Sequence, residues 1–367
     1  MGRLSRAEQQ EVTRQRVLDA AKYEFTERGF RRATVDGIAD RADLTRGAVY
    51  SNFPSKRALY FSVLAREAEH APLPAPKTAS PAHTAMGKFA STWAEVLPTT
   101  QHSDHLPPEK LTSPALSIDL IPEIQSEKRM SVPFAQLIKL DAIILGLALE
   151  AESPTKAPTE QFIDMANSAL TILYGATQLA FAAPGFVDPQ HIISLCEQLT
   201  PYQYRDAVAE TPSQSPPPQR VSEIWTPPTC IDSVHHRAVR PSGTRVIAVL
   251  GMHKIDAIRD AVVAASGPHR LSVALVTDDQ TGELAPLAKL ALADLSRGLR
   301  YAFPAPTIPD VQVIVDQDSQ LAHACGLDAL SNNTEAAIAV TDNQIQFRAL
   351  GTGACHSTLS AAARSDT

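Results

Sequence analysis

Apolar residues follow two different periods along this chain. Over residues 8–205 they recur every three or four positions, the spacing of helices with one face turned inward. Beyond about residue 240 they come in short unbroken runs separated by helical stretches. In the first stretch, residues 8–70, Val17, Leu18, Ala21 and Phe25 make one apolar stripe. Gly29 follows as the residue that leaves the helix through the left-handed region, and Phe30 is placed to pack back on Phe25. Thr34 is a good N-cap for a short second helix over 35–41, with Asp36 in its first turn. A tight connection at 42–44 leads to Thr45, which caps a third helix ending near Ser51. Pro54 and Ser55 break and restart the chain, and a fourth helix from Lys56 lines up Leu59, Val63 and Leu64.

Residues 82–205 continue the helical period. Met86, Phe89, Ala90, Trp93, Val96 and Leu97 share one face, and 134–151 and 160–183 are apolar around most of their circumference, as in a buried bundle or a subunit interface. A last amphipathic piece covers 189–199; 99–122 is irregular and rich in proline. Prolines also crowd 71–81 and 211–228, so 206–240 reads as a semi-rigid linker. After it, 241–367 alternates strands (246–250, 271–276, 311–315, 336–341, 344–350) with helices (255–265, 283–296, 319–324), and Asp342-Asn343 is a hairpin turn signal. The pattern predicts a small α/β domain, joined flexibly enough that a chain ending near residue 205 stays folded.

Composition changes this picture in one respect. The net charge of −7 hides an asymmetry: residues 1–70 carry 13 Lys and Arg against 10 Asp and Glu, so a basic head precedes an acidic body. The longest apolar run lies within 142–149, bounded by Asp141 and Glu150, far short of the ~20 residues of a membrane span. With no secretory pattern at the start, a cytoplasmic protein without a membrane partner is expected. Cys196, Cys230, Cys325 and Cys355 form no Cys-x-x-Cys pair and stand at no zinc spacing, so free thiols are expected, with no metal and no cofactor.

Two short capped helices joined by a tight turn in a basic head make a helix-turn-helix, whose second helix fits the DNA major groove. The stretch GFRRATVDGIADRADLTRGAVYSNFPSKRAL at 29–59 resembles the TetR/AcrR family of bacterial transcription regulators in its glycine-aromatic stop, its caps, Ile38-Ala39, Gly47, and Val49-Tyr50 followed by Phe53 and Lys56. Asp43-Leu44 in the turn, and Ser51 and Asn52, depart from the usual pattern. The resemblance implies a multi-domain fold: an all-α TetR-like helix-turn-helix domain, then an α-helical ligand and dimerisation domain at 82–205. It implies a homodimer on a palindromic operator in double-stranded DNA, released by a small-molecule effector whose identity stays open. Thr34, Thr45, Tyr50 and Lys56 are then expected on phosphates, although capping alone accounts for both threonines. Arg46, Ser51 and Asn52 are expected on base edges or nearby phosphates, and Gly47 permits close backbone approach. Trp93, Phe134, Phe162, Met165 and Tyr174 are candidates to line the effector pocket, the alternative being plain core packing.

The tail resembles a thioredoxin-like domain of the peroxiredoxin type in the run 246–251, in Val315-Asp316-x-Asp318-x-x-Leu321-Ala322 followed by Cys325-Gly326, and in the late hairpin ending Gly351-Thr352-Gly353. Where such a domain carries its reactive cysteine, this chain reads Gly251-Met252-His253-Lys254, and Asn333-Thr334-Glu335 replace the proline before the penultimate strand. A redox-dead binding scaffold is expected. The function expected is therefore a DNA-binding transcriptional regulator, a ligand-responsive repressor rather than an enzyme; the alternative is a DNA-addressed thiol redox enzyme or redox sensor.

Overall fold

The computed structural model describes residues 5–73, 84–94, 97, 119–201, 215–264 and 270–365. Helix α1 (Arg6–Arg32) opens on a capping box in which Ser5 Oγ accepts from the Glu8 amide and Glu8 Oε2 from the Ser5 amide. Val17, Leu18, Ala21 and Phe25 are all buried, as their spacing predicts. Gly29, at φ +69, kinks the helix rather than ending it. The chain turns once more to Arg32 because the carboxylate of Asp119 accepts the freed Phe30 amide at 2.8 Å. Phe25 and Phe30 meet with ring centroids 6.1 Å apart.

Helices α2 (Val35–Ala42), α3 (Arg46–Asn52) and α4 (Lys56–His70) complete the head. The middle region is α5 (Ala85–Ala94), α6 (Leu120–Ser126), α7 (Lys128–Glu152), α8 (Thr159–Ala182) and α9 (Pro189–Glu197). Helix α7 starts six residues before the expected 134, since Pro133 lies early enough to cost a single backbone bond. By length and composition α7 could cross a membrane, yet 67% of its most apolar window is buried inside the protein. Val96 and residues 99–118, parts of the expected helical and irregular segments, lie outside the described residues.

The C-terminal region holds β1 (Gln219–Ile224), β2 (Cys230–Asp232), β3 (Arg237–Val239), β4 (Arg245–Gly251), α10 (Ala257–Ala264), β5 (Leu271–Val276), α11 (Leu284–Ala302), β6 (Val311–Val315), α12 (Gln320–Ala324), β7 (Glu335–Thr341), β8 (Gln344–Leu350) and α13 (Ala354–Ser365). The main sheet runs β1-β8-β7-β4-β5-β6. Strands β4, β5 and β6 are parallel, with Val246 opposite Leu271 and Leu271 opposite Val311; β7, β8 and β1 add antiparallel. Strands β4 and β5 are buried along their whole length, which explains their unbroken apolar runs. Their period of two still sorts the side chains. Ile247, Val249, Ala274 and Val276 pack under Trp225 and α12, whereas Val246, Ala248, Leu250, Leu271 and Val273 join the core that continues into the helical half.

Two expectations fail here. The 206–240 stretch is not only a linker: β1 lies inside it and pairs with β8, Gln219 opposite Arg348 and Ile224 opposite Gln344. Trp225 follows it into the core and donates from Nε1 to Pro241 O at 2.7 Å. The prolines stand just before and just after β1, at 216–218 and 227–228, so none interrupts the ladder. Nor is the α/β region a loosely attached module. One continuous hydrophobic core runs from Val17 in α1 through α5, α7 and α8 to α11 and the inner face of the sheet. Helix α11, which belongs to the α/β region by sequence, buries Leu284, Leu287, Leu290, Leu295 and Leu299. It packs on α4, α5 and α7.

Candidate nucleic-acid interface

Local chemistry fixes the helix-turn-helix. Thr34 Oγ1 accepts from the Gly37 amide at 3.0 Å and Thr45 Oγ1 from the Ala48 amide at 3.2 Å, caps that stabilise by roughly 1 kcal/mol each. The turn between them passes through Asp43, a non-glycine residue at φ +51. Arg16 on α1 holds that turn, donating to Ala42 O at 2.7 Å. Gly37 sits where a Cβ would meet the carboxylate of Glu24 at 2.7 Å. Glu24 is buried and pairs with Arg28 at 3.4 Å and Arg41 at 3.6 Å. Ile38, Ala39, Val49 and Phe53 are core.

On this frame Thr34, Thr45, Arg46, Gly47, Tyr50 and Ser51 are exposed and Asn52 is half-buried. The Arg46 guanidinium lies 5.5 Å from the Tyr50 ring centre and 3.5 Å from Asp36. A Cβ placed on Gly47 would have only Thr45 Oγ1 within 4 Å, which leaves open space for a phosphate backbone to approach. Lys56 also holds the fold. Its Nζ donates to Phe30 O at 2.8 Å and Ala33 O at 3.1 Å and lies 4.4 Å from the centre of the Phe30 ring. Burial lowers its pKa. Two of the ammonium's three donors thus close the end of α1 against α4.

Behind the recognition helix stands a cluster of charges that the sequence did not reveal. Asp279 caps α11 by accepting from the Glu283 and Leu284 amides at 2.7 and 3.0 Å. Although burial pushes its carboxyl up, the hydrogen bonds from Thr281 and these amides outweigh it and hold the pKa below the usual value. Glu283, 2% exposed, accepts from Ser55 Oγ at 2.7 Å and pairs with Arg57 at 3.5 Å and Arg129 at 2.5 Å. Ser55 is itself the N-cap of α4, accepting from the Ala58 amide. Gly282 packs so that a Cβ would touch Pro54 at 3.3 Å. The loop entering α11 thus grips the residues that follow α3.

An apolar cavity of about 90 Å3 lies between α5, α8 and α11. Trp93, Phe134 and Tyr174 line it, the Tyr174 ring meeting Trp93 edge-on at 4.8 Å and Phe134 at 5.9 Å. Phe162 and Met165 are buried in the surrounding core instead. Leu287, Leu290, Asp294 and Arg297 of α11 complete the wall, residues that sequence spacing assigned to a different domain. Burial drives the Asp294 pKa up from 3.8 to about 6 and raises those of Tyr174 and of Asp141 on α7. A carboxyl raised in the folded state stabilises most below its unfolded value and loses that contribution as pH climbs through about 6. Replacing Asp294 by Asn should therefore raise the melting temperature above that pH and leave it unchanged in acid; calorimetric melts across pH check this.

With this geometry in place, residues 17–63 match the family model of bacterial regulatory proteins, tetR family. The chain is 48% identical over 65 residues to the HTH-type transcriptional regulator SrpR of Pseudomonas putida, a match spanning 18% of this chain and 30% of SrpR. Identity to the HTH-type transcriptional regulator TtgW, also of Pseudomonas putida, is again 48% over 65 residues, 18% of this chain and 48% of TtgW. The HTH-type transcriptional activator FasR of Mycolicibacterium smegmatis is 40% identical over 57 residues, 16% of this chain and 26% of FasR. The chain thus spans less than half the length of the curated relatives it matches. The multidrug binding protein EbrR, solved with imidazole, overlaps 52% of this chain and 90% of its own, at 18% identity and TM-score 0.34. A TetR regulator from Rhodococcus sp. RHA1 overlaps 52% and 94%, at 19% identity and TM-score 0.33. The N-terminal domain is a TetR-type helix-turn-helix.

Proposed function

We propose that this chain is a DNA-binding transcriptional regulator, a repressor that sits on a palindromic operator as a homodimer in the cytoplasm and lets go when a small molecule enters the cavity at Trp93, Phe134 and Tyr174. The observation that carries the reading is the exposed row Thr45, Arg46, Gly47, Tyr50 and Ser51 on a helix whose other side is locked into the core. The helix N-termini at Thr34 and Thr45 carry free amides that favour phosphates. Enrichment of genomic fragments on the purified chain, followed by footprinting, tests it. An inverted repeat with half-sites on one face of the duplex is the expected product; no enriched sequence would sink the reading.

The dimer surface we assign to α8 and α9, where Leu179 and Leu195 are exposed, Gly175 faces open space and Phe186 stands exposed in the connection between the two helices. Ile172→Asp and Leu179→Asp would each bury an unpaired charge there, at a cost of several kcal/mol. Light scattering should report monomers for both; an intact dimer would place the interface elsewhere.

The α/β region we read as a thioredoxin-like scaffold without its thiol. The strand order β6-β5-β4-β7-β8 and the Met252-His253-Lys254 segment after β4 support this. The thiols speak against redox work: burial pushes Cys196 and Cys230 up to about 11, and Cys325 and Cys355 further still, so all four stay protonated and poorly nucleophilic.

A further inference from the structure

The cavity beneath Trp93 combines features that select a particular chemistry. Its walls are aromatic and aliphatic, but α11 turns Asp294 into it. Behind the same wall, Asp141 on α7 is 4% exposed, and its Oδ1 has no hydrogen-bond partner among the described residues. A buried carboxylate oxygen without a donor is costly, so the site is electrostatically incomplete as it stands. The charges facing it are few. Asp141 comes from α7, the Tyr174 hydroxyl from α8, and Asp294 and Arg297 from α11; the α5 and α6 lining residues Thr92, Trp93, Leu120 and Ile121 bring no charge. Among the described residues Arg297 forms no ion pair with Asp294 within 4 Å, and its Nε has no partner. Arg297 is, among these residues, the one cation near Asp294 and stands beyond ion-pair distance, so an ammonium placed in the cavity finds a carboxylate with no direct partner and, in Asp141, a second acceptor behind it.

We propose that this cavity takes a small monocationic amine: an ammonium group that donates to Asp294 and draws on Asp141, on a short apolar body packed against Trp93, Phe134 and Tyr174. The inference rests on reading this cavity as the effector site. The volume of about 90 Å3 is smaller than the ~150 Å3 engineered cavity that holds benzene, so the body is limited to a few carbons. A neutral alcohol of the same length satisfies the apolar walls but leaves the carboxylates without a cation, and a carboxylic acid meets them as a like charge. The device also joins the two halves of the chain, because the acid that touches the ligand stands on the helix whose leading loop grips Ser55 and Arg57.

The test uses the full chain carrying Trp225→Phe, so that Trp93 is the remaining tryptophan reporting by fluorescence. Butylamine, 1-butanol and butyrate are titrated at neutral pH. Butylamine should change the Trp93 emission saturably, 1-butanol at least about tenfold more weakly, and butyrate not at all. Asp294→Asn should bring butylamine down to the level of 1-butanol while melting as a folded protein, and lowering the pH past about 6 should weaken butylamine in the parent and not in the variant. Equal binding of amine and alcohol, amine binding unaffected by Asp294→Asn, or no saturable response to butylamine would each overturn the proposal. Operator binding is measured in the same samples without amine: if it persists while the amine result fails, the amine inference alone falls, and if it is absent the regulator reading falls with it.

Discussion

A chain ended at residue 205 will aggregate or unfold, and will not bind an operator. Its head and middle helices lose α11, which covers α4, α5 and α7 and buries Leu284, Leu287, Leu290, Leu295 and Leu299. Each buried leucine is worth roughly 1.5–3 kcal/mol, so losing five together rivals the roughly 5–15 kcal/mol by which a whole domain is stable. Phe89, fully buried now with Gly298 of α11 against its ring, would lose cover. Size-exclusion chromatography and circular dichroism of the truncated chain give the answer; a soluble, helical, operator-binding fragment would show that α11 is dispensable. A full-length variant separates packing from chain length. Gly298 on α11 stands where a Cβ would collide with the Phe89 ring. Gly298→Val gains helix propensity yet forces α11 off α5, and overpacking of this kind costs about 1–3 kcal/mol. A Gly298→Val protein that melts at or above the parent temperature would mean that this contact is slack.

Arg46→Ala will weaken operator binding about 10- to 100-fold, the value of one good side-chain contact to a base edge. It will also narrow the gap between operator and unrelated DNA. Thr45→Ala acts on both folding and binding, since it removes a cap as well as a surface hydroxyl. Lys56→Met provides the contrast. Its ammonium is engaged with Phe30 O and Ala33 O, so the variant should melt earlier while the slope of log affinity against log salt stays as in the parent. Fluorescence anisotropy with the enriched fragment over a series of salt concentrations distinguishes these cases. A Lys56→Met slope shallower by about one unit, with an unchanged melting temperature, would return Lys56 to the phosphates.

What could be read from the residues follows from how local each determinant is. The helix-turn-helix was legible because its caps and its apolar stripe act over three or four residues. The part Lys56 plays in the fold was not legible, because its acceptors lie 23 and 26 positions away along the chain. The 206–240 stretch looked like a spacer because prolines flank β1, whose partner β8 is more than a hundred residues downstream. Three of the five pocket candidates line the cavity because aromatic residues on neighbouring helices converge there. Asp294 could not be found that way: it sits in a different period of the chain, and only tertiary packing brings α11 to α5 and α8. Asp141 did leave a trace, as the charge that cuts off the apolar run 142–149.

The placement of α11 also sets an order of events during synthesis. Helices α4 and α5 leave the ribosome roughly two hundred residues before the helix that covers them. At about 5–20 residues per second, roughly 10–40 s pass with those faces uncovered. The head of a nascent or prematurely terminated chain therefore presents its apolar surfaces to chaperones and proteases until α11 has been made.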